Sequence, residues 1–428
     1  MHGMTQNQES PDDPAFTYRS TISTVQRSSH SNQTTTSRKT LNRRGFLRLG
    51  GAGLAGMIMG SALIAMEPDS VAQDRALAKF EPEDGFVYTG VALTRPLGHP
   101  NVEKAVQEWN RWTNLMEGKP AAISHEFTWF DGQANYAYDY ARARKAIPMI
   151  SIEFTKASPK EIANAGTSED GRRTDLLILN HAYTAREFQD KVFVRLGHEM
   201  NAHWYPYCAY DQDGTPRANT TEDYKQAWRR IVTIFRGGYV RDIDTKLAGY
   251  GLPPLDRHAH PSTYRRRPPL DDPDAYISPV ENAAFVWCPN YASMPYMVGN
   301  AAAEYYPGDD LVDWVGQDVY YAPWWDPMDV LFSYMDDFYR EFSEWRDKPY
   351  MLAEWALRPP SMGPEGKTTN DEPSFINRVL DWSKIHPRVK ALVYYSWDYA
   401  PEGDYSLQKF PESAKALAEG WKDKRFLQ

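Results

Sequence analysis

From about residue 80 the chain alternates short β-rich apolar runs with amphipathic stretches of helical period, and it does so eight times. The runs are Gly85–Leu93, Ala122–Thr128, Pro148–Phe154, Val192–Leu196, Ala283–Cys288, Trp314–Tyr320, Tyr350–Ala353 and Val389–Ser396. Strands separated by helices make parallel pairs, because each crossover helix carries the chain back to the same end of the sheet. Eight such units predict one catalytic-type domain at 79–428, folded as a (β/α)8 TIM barrel of the α/β class. A doubly wound open sheet is the competing arrangement, but no segment resembles its Gly-rich phosphate loop. The clearest helix follows the fourth run. Thr220 is placed to cap it with Asp223 three residues on, and Tyr224, Trp228, Ile231 and Phe235 recur on one face. Trp109, Trp112, Trp228 and Trp382 fall at helical spacing and read as core.

The N-terminal segment reads differently. Residues 1–40 are rich in Ser, Thr, Gln and Asn without apolar periodicity, and read as disordered. Arg43-Arg44 then precede the Gly- and Ala-rich run Leu49–Met66, which resembles a twin-arginine export signal, with small residues offering cleavage after Ala72 or Ala78. Residues 1–78 are therefore expected to be leader, and the protein to work in the periplasm or outside the cell. The membrane would be met only transiently, through that signal. An uncleaved anchor is the alternative, against which the interrupting glycines count.

Net charge is −9 over 428 residues. Residues 1–72 hold a surplus of two positive charges, so the remainder is near −11. That balance argues against nucleic acid as a partner. Cys208 and Cys288 are the two cysteines, too few for a disulfide scaffold or a four-cysteine metal site, though export would permit them to pair. One insertion, 252–279, carries seven prolines and the triplet Arg265-Arg266-Arg267. Lying between a helix and the fifth strand, it is expected on the N-terminal face of the barrel, away from chemistry. Its His258 and His260 have no third ligand in the pattern, so a solvated loop is expected there, not a metal site.

Two runs end in glutamate. The fourth gives Arg195-Leu196-Gly197-His198-Glu199-Met200-Asn201-Ala202-His203-Trp204-Tyr205, and the seventh Pro349-Tyr350-Met351-Leu352-Ala353-Glu354-Trp355. A barrel keeps its catalytic groups where strands end at the C-terminal face. Two carboxyl groups on that rim are what glycoside hydrolysis needs, one to protonate the leaving oxygen and one to attack the sugar or activate water. Trp324 and Trp325, after the sixth run, are placed as sugar-stacking groups because adjacent tryptophans on a rim loop lie at the surface. Trp129 and Trp397 are equally readable as core or platform. His125-Glu126 is a loose candidate for a donor-side subsite, and Glu153 is expected to support a neighbour.

The string Arg195 to Pro206 resembles the acid/base motif of glycoside hydrolase family 26, a clan A (β/α)8 family of endo-β-mannanases and related β-glycanases, which has His where most of the clan has Asn. The segment Lys348–Glu354 is similar to the family's nucleophile strand, and Asp313–Tyr320, Phe285–Asn290 and Ala391–Tyr395 to its sixth, fifth and eighth. The resemblance implies that Glu199 is the general acid/base and Glu354 the nucleophile of a retaining, double-displacement hydrolase. The two carboxyl groups are then expected ~5–5.5 Å apart. It further implies that Tyr320 bonds Glu354, that His198 donates to a sugar hydroxyl or to Glu354, and that Trp204 is a stacking platform. Arg195 is expected either to keep Glu354 ionised or to form a buried ion pair under the rim. No metal or organic cofactor is needed. The expected partner is a polysaccharide, mannan or glucomannan first, and the expected state a monomer. Ala202-His203 departs from the Gly and small polar residue of many relatives, which bears on the substrate. A non-catalytic polysaccharide-binding barrel, and a transglycosylase or hydrolase acting on a self-made exopolysaccharide, use the same residues and stay open.

Overall fold

A computed structural model describes residues 76–93, 101–132, 134–257, 270–366, 369–399 and 403–428. The export segment, His258, His260 and the arginine triplet lie outside the described residues. Eight parallel strands form the barrel: β1 (Val87–Leu93), β2 (Ile123–Trp129), β3 (Ile147–Glu153), β4 (Val192–Leu196), β5 (Ala283–Trp287), β6 (Trp314–Tyr321), β7 (Tyr350–Leu357) and β8 (Val389–Ser396), with the two-residue strand Phe426–Leu427 added to the start of β1. They pair in chain order, and β8 closes onto β1 from Tyr88↔Ala391 to Leu93↔Ser396, which makes a (β/α)8 barrel. The helices are α1 (Val102–Leu115), α2 (Asn135–Arg144), α3 (Pro159–Ala163), α4 (Thr174–Phe188), α5 (Thr221–Phe235), α6 (Val240–Gly249), α7 (Met328–Phe338), α8 (Pro373–Ile385) and α9 (Pro411–Gly420).

The period of two along each strand sorts the side chains into two cores. Tyr88, Ile123, Met149, Phe193, Trp314 and Met351 point inward and fill the lower barrel. Phe80 plugs its base, edge-on to Phe193 with ring centroids 6.1 Å apart, while Trp314 donates to the Lys79 carbonyl at 2.7 Å. Truncating Phe193 to Ala in so closed a space would cost about 3–5 kcal/mol. The outward residues meet the helices, and the four tryptophans at helical spacing, Trp109, Trp112, Trp228 and Trp382, are buried there. α5 begins as its sequence indicates: Thr220 accepts from the Asp223 amide while Asp223 bonds back to the Thr220 amide.

Two features differ from the sequence reading, and a third answers what it left open. First, β7 runs on to Leu357, so Glu354 lies within the strand. Between Gln317↔Leu352 and Asp318↔Glu354 the pairing skips one residue of β7. This bulge keeps Ala353 inside the barrel and turns Glu354 inward as well, which is how bulges commonly re-aim a functional side chain. Second, the described flanks of the proline-rich insertion are not confined to the N-terminal face. α6 runs back along α5, Gln226 donates to the Tyr250 carbonyl at 3.1 Å, and the Asp256 amide donates to Asp175 at the start of α4 at 2.8 Å. Arg230 ties this segment down, bonding Asp175 and the Pro253 and Pro254 carbonyls. Third, the cysteines are free and buried in separate settings. Cys208 faces Asn300 and Tyr305, whereas Cys288 donates to Asp318 at 3.2 Å.

Candidate active site

The upper barrel replaces the apolar fill with a polar layer. Arg195 on β4 is fully buried at its centre. Its Nη1 donates to both Asp318 oxygens at 2.7 and 2.9 Å, its Nε to Ser151 at 2.7 Å, and its Nη2 to Glu354. An isolated guanidinium could not be buried this way; two carboxylates and a hydroxyl make it tenable. The buried ion pair expected of Arg195 is therefore present, and it extends to Glu354. Tyr320 on β6 donates its hydroxyl to the other Glu354 oxygen. Glu354 thus has one donor on each oxygen, one of them cationic.

Glu199 stands on a turn instead. Gly197 follows β4 with φ +47°, where an added Cβ would meet the Phe154 ring at 2.7 Å, so only glycine fits. Glu199 itself has φ +51°, a left-handed conformation that costs an ordinary residue about 1–2 kcal/mol. Its amide donates to the Cys288 carbonyl at 2.9 Å, which fixes the turn against β5. The carboxyl accepts from Asn290 Nδ2 at 2.6 Å and from Trp204 Nε1 at 2.7 Å, both neutral donors. Burial, then the Glu354 charge, push its pKa up to about 7, against the pull of these two bonds.

His198 Nε2 lies 2.7 Å from the Tyr205 hydroxyl and 4.0 Å from Glu354. Burial and the Arg195 charge hold its pKa well below the usual histidine value, so it is a neutral imidazole. His125 is an inward neighbour, 2.7 Å from Ser151, and is held down by the same two causes. Glu126 points the other way and pairs with Arg144 at 2.6 Å behind the barrel wall, which removes it from any subsite. His198, Asp318 and Glu354 place ligand-type atoms within 4.8 Å of one another. Arg195 already bonds both of those carboxylates and offsets one of their two charges, so a cation serves the set within the chain itself.

Among the tryptophans, Trp204 is half-buried with its N–H on Glu199, and His203 lies edge-on to it at 5.4 Å. Trp325 is 48% exposed on the β6 rim. Trp324 is half-buried against Gly363, where an added Cβ would come within 2.9 Å of its ring. Trp397 is buried, stacked on Tyr395 and edge-on to Phe127, while Trp129 is half-buried under Lys156. A groove of about 630 Å³ runs between α7 and α8 on the outer wall, but it holds none of these residues.

The sequence reading did not single out Asn290, Asp318 or Arg358, and it gave Glu153 only a supporting place. Asp318 had a signal: an acid at an inward position of an apolar strand needs a cation, and Arg195 is the inward cation nearby. Asn290 had none beyond its position just after β5. Glu153 ends β3 as a fourth carboxyl of the cluster, after Asp318, Glu199 and Glu354, and among the described residues no cation pairs with it. Burial, then the Glu354 charge, raise its pKa to about 8.

No family model matches the chain. Endoglucanase H of Acetivibrio thermocellus is 25% identical over 162 residues, which is 37% of this chain but only 16% of that protein. A Cellulomonas fimi endo-β-1,4-mannanase, solved as a double mutant, superposes with a TM-score of 0.52 at 14% identity, covering 80% of this chain and 72% of the other. A second structure, of a modular C. fimi endo-β-1,4-mannanase described among glycoside hydrolase family 26 mannanases, gives 0.51 at the same identity and coverage. A Bacillus subtilis mannanase gives 0.44 at 17% identity, covering 80% of this chain and 86% of that one. At these identities the likeness is one of fold: the chain is a (β/α)8 barrel of the shape that family 26 mannanases share.

Proposed function

We propose that this protein is a retaining glycoside hydrolase of family 26 type, acting on a β-linked polysaccharide of the mannan or glucomannan kind. The observation that carries this reading is the unequal treatment of two glutamates in one buried cluster. Glu199 has only neutral donors and a pKa near 7, whereas Glu354 is gripped by Arg195 and Tyr320. The mannanase barrels and the endoglucanase segment agree with it.

The chemistry follows from those contacts. Glu199 gives its proton to the glycosidic oxygen as that bond breaks, and a Glu354 oxygen attacks the anomeric carbon. Forming the glycosyl ester removes the Glu354 charge, which was raising the Glu199 pKa. Glu199, now a carboxylate, takes a proton from water, and that water displaces Glu354 from the sugar. Neutral His198, beside Glu354, is placed to bond a sugar hydroxyl without adding charge. As part of the same reading, the protein is exported through Arg43-Arg44 and meets its glycan as a monomer outside the cytoplasm. Replacing both arginines by lysine should then retain it inside the cell.

The test is product release by the purified protein from mannan, glucomannan, mixed-linkage β-glucan and β-xylan, with Glu354→Ala alongside. Release from one polymer that disappears in the variant supports the hydrolase and names its substrate class. No release from any polymer would turn the reading toward a sugar-binding barrel.

A further inference from the structure

Arg358 is the residue that the proposed chemistry leaves unexplained. It follows β7 directly, four residues beyond Glu354. Its backbone is pinned, with its amide donating to the Tyr321 carbonyl at 2.9 Å and its carbonyl accepting from Asn370 at 3.0 Å. The guanidinium lies over the Trp325 ring at 4.7 Å and the Tyr320 ring at 5.7 Å, and the Tyr320 hydroxyl is bonded to Glu354. Its charge also reaches Tyr291 and Tyr405. Arg358 is thus one aromatic ring removed from the attacking carboxylate, in a nest of aromatic side chains on the catalytic rim.

Among the described residues no carboxylate pairs with this guanidinium, and its buried Nε has no acceptor. Half-buried Arg217, by contrast, bonds Asp211 and two carbonyls, and fully buried Arg230 bonds Asp175 and two carbonyls. A guanidinium stacked on aromatic faces with its donors unused is a preformed site for a planar anion, which it binds through two parallel N–H bonds. Its aromatic partners supply what a sugar ring needs, since Trp325 is exposed and flat. Among the acids nearest the chemistry, Asp318 and Glu354 share the Arg195 charge, and Glu199 and Glu153 have pKa values raised to about 7 and about 8, which lessens their opposition to an incoming carboxylate.

We infer that Arg358, with Trp325 and Tyr320, forms a subsite for a sugar bearing a carboxylate, so that the preferred glycan is an acidic one. This rests on the hydrolase reading and narrows its substrate class. Two sources offer the same group: a uronic acid within the chain, or an acidic half-ester appended to a neutral sugar.

The test uses glucomannan in three forms: untreated, lightly oxidised at C6 to the uronate, and lightly succinylated. Turnover and retardation in gels containing each polymer are measured for the wild type, Arg358→Gln and Arg358→Lys. One charge-assisted pair at a half-exposed site is worth roughly a five- to tenfold preference. The wild type should therefore favour one acidic form over the neutral polymer by about that factor. The preference should vanish in Arg358→Gln, persist in part in Arg358→Lys, and shrink in high salt. The acidic form preferred names the source. Equal preference in the wild type and Arg358→Gln, or none in the wild type by either readout, overturns the inference. Selective retardation without any turnover would keep the subsite and reject the hydrolase.

Discussion

The rims of β4 and β7 each present a glutamate, and the protein treats them in opposite ways. At β4, Glu199 stands on a left-handed turn and meets two neutral donors. At β7, Glu354 is turned inward by a bulge and meets a guanidinium and a phenol. The first environment keeps a proton available near neutral pH, and the second holds a carboxylate in one orientation. Identical side chains thus have unlike supports, and Arg195 makes the division by touching only one of them, which is what the proposed roles of acid and nucleophile require.

The contrast can be broken most severely at Glu354. Glu354→Ala should lower turnover by roughly 10⁴-fold or more while sparing binding to the polymer, read by gel retardation alongside rates. Glu199→Ala should cost about 10²–10⁴-fold on polysaccharide, and far less on an aryl glycoside whose leaving group needs no proton. Arg195→Met would strand Asp318 and Glu354 without their cation. Denaturant unfolding should show a loss of about 3–5 kcal/mol, and a stability close to wild type would mean the pair is not buried as described.

Smaller changes sharpen the comparison. Tyr320→Phe removes one bond to an anion, so kcat/KM should fall by roughly tenfold to a hundredfold with little change in stability. The pH profile addresses Glu199. Because its pKa is raised to about 7, the acid is present below that pH and activity should decline as pH rises through it. Trp204 donates to the ionised form and so lowers that pKa. Trp204→Phe should therefore move the alkaline limb upward, by less than about one pH unit. A downward movement would contradict the placement of that indole N–H.

Much of this frame was readable in the chain. The eight apolar runs gave the barrel, and glutamates at the ends of the fourth and seventh runs gave the two carboxyl groups of the proposed reactive pair. Capping residues and helical spacing located α5 and the tryptophan core. What escaped depends on contacts between distant segments. The β7 bulge is a matter of pairing register, which an apolar run does not encode, so Glu354 was read as following its strand. Asn290 reaches Glu199 across 91 residues of sequence. The insertion was placed by topology alone, whereas its path is set by Arg230, whose burial is not visible in an amphipathic pattern. Glu126 shows the converse: strand alternation already opposed it to His125, and that period was the signal for setting it aside.

The most direct measurement of the central claim is the anomeric configuration of the first product, followed by proton NMR during the opening minutes of hydrolysis of the preferred polymer. If Glu354 attacks and Glu199 serves as acid and then base, the new reducing end appears first as the β-anomer and only later mutarotates. An α-anomer at the earliest times would mean single displacement by water and would contradict the roles assigned to both glutamates.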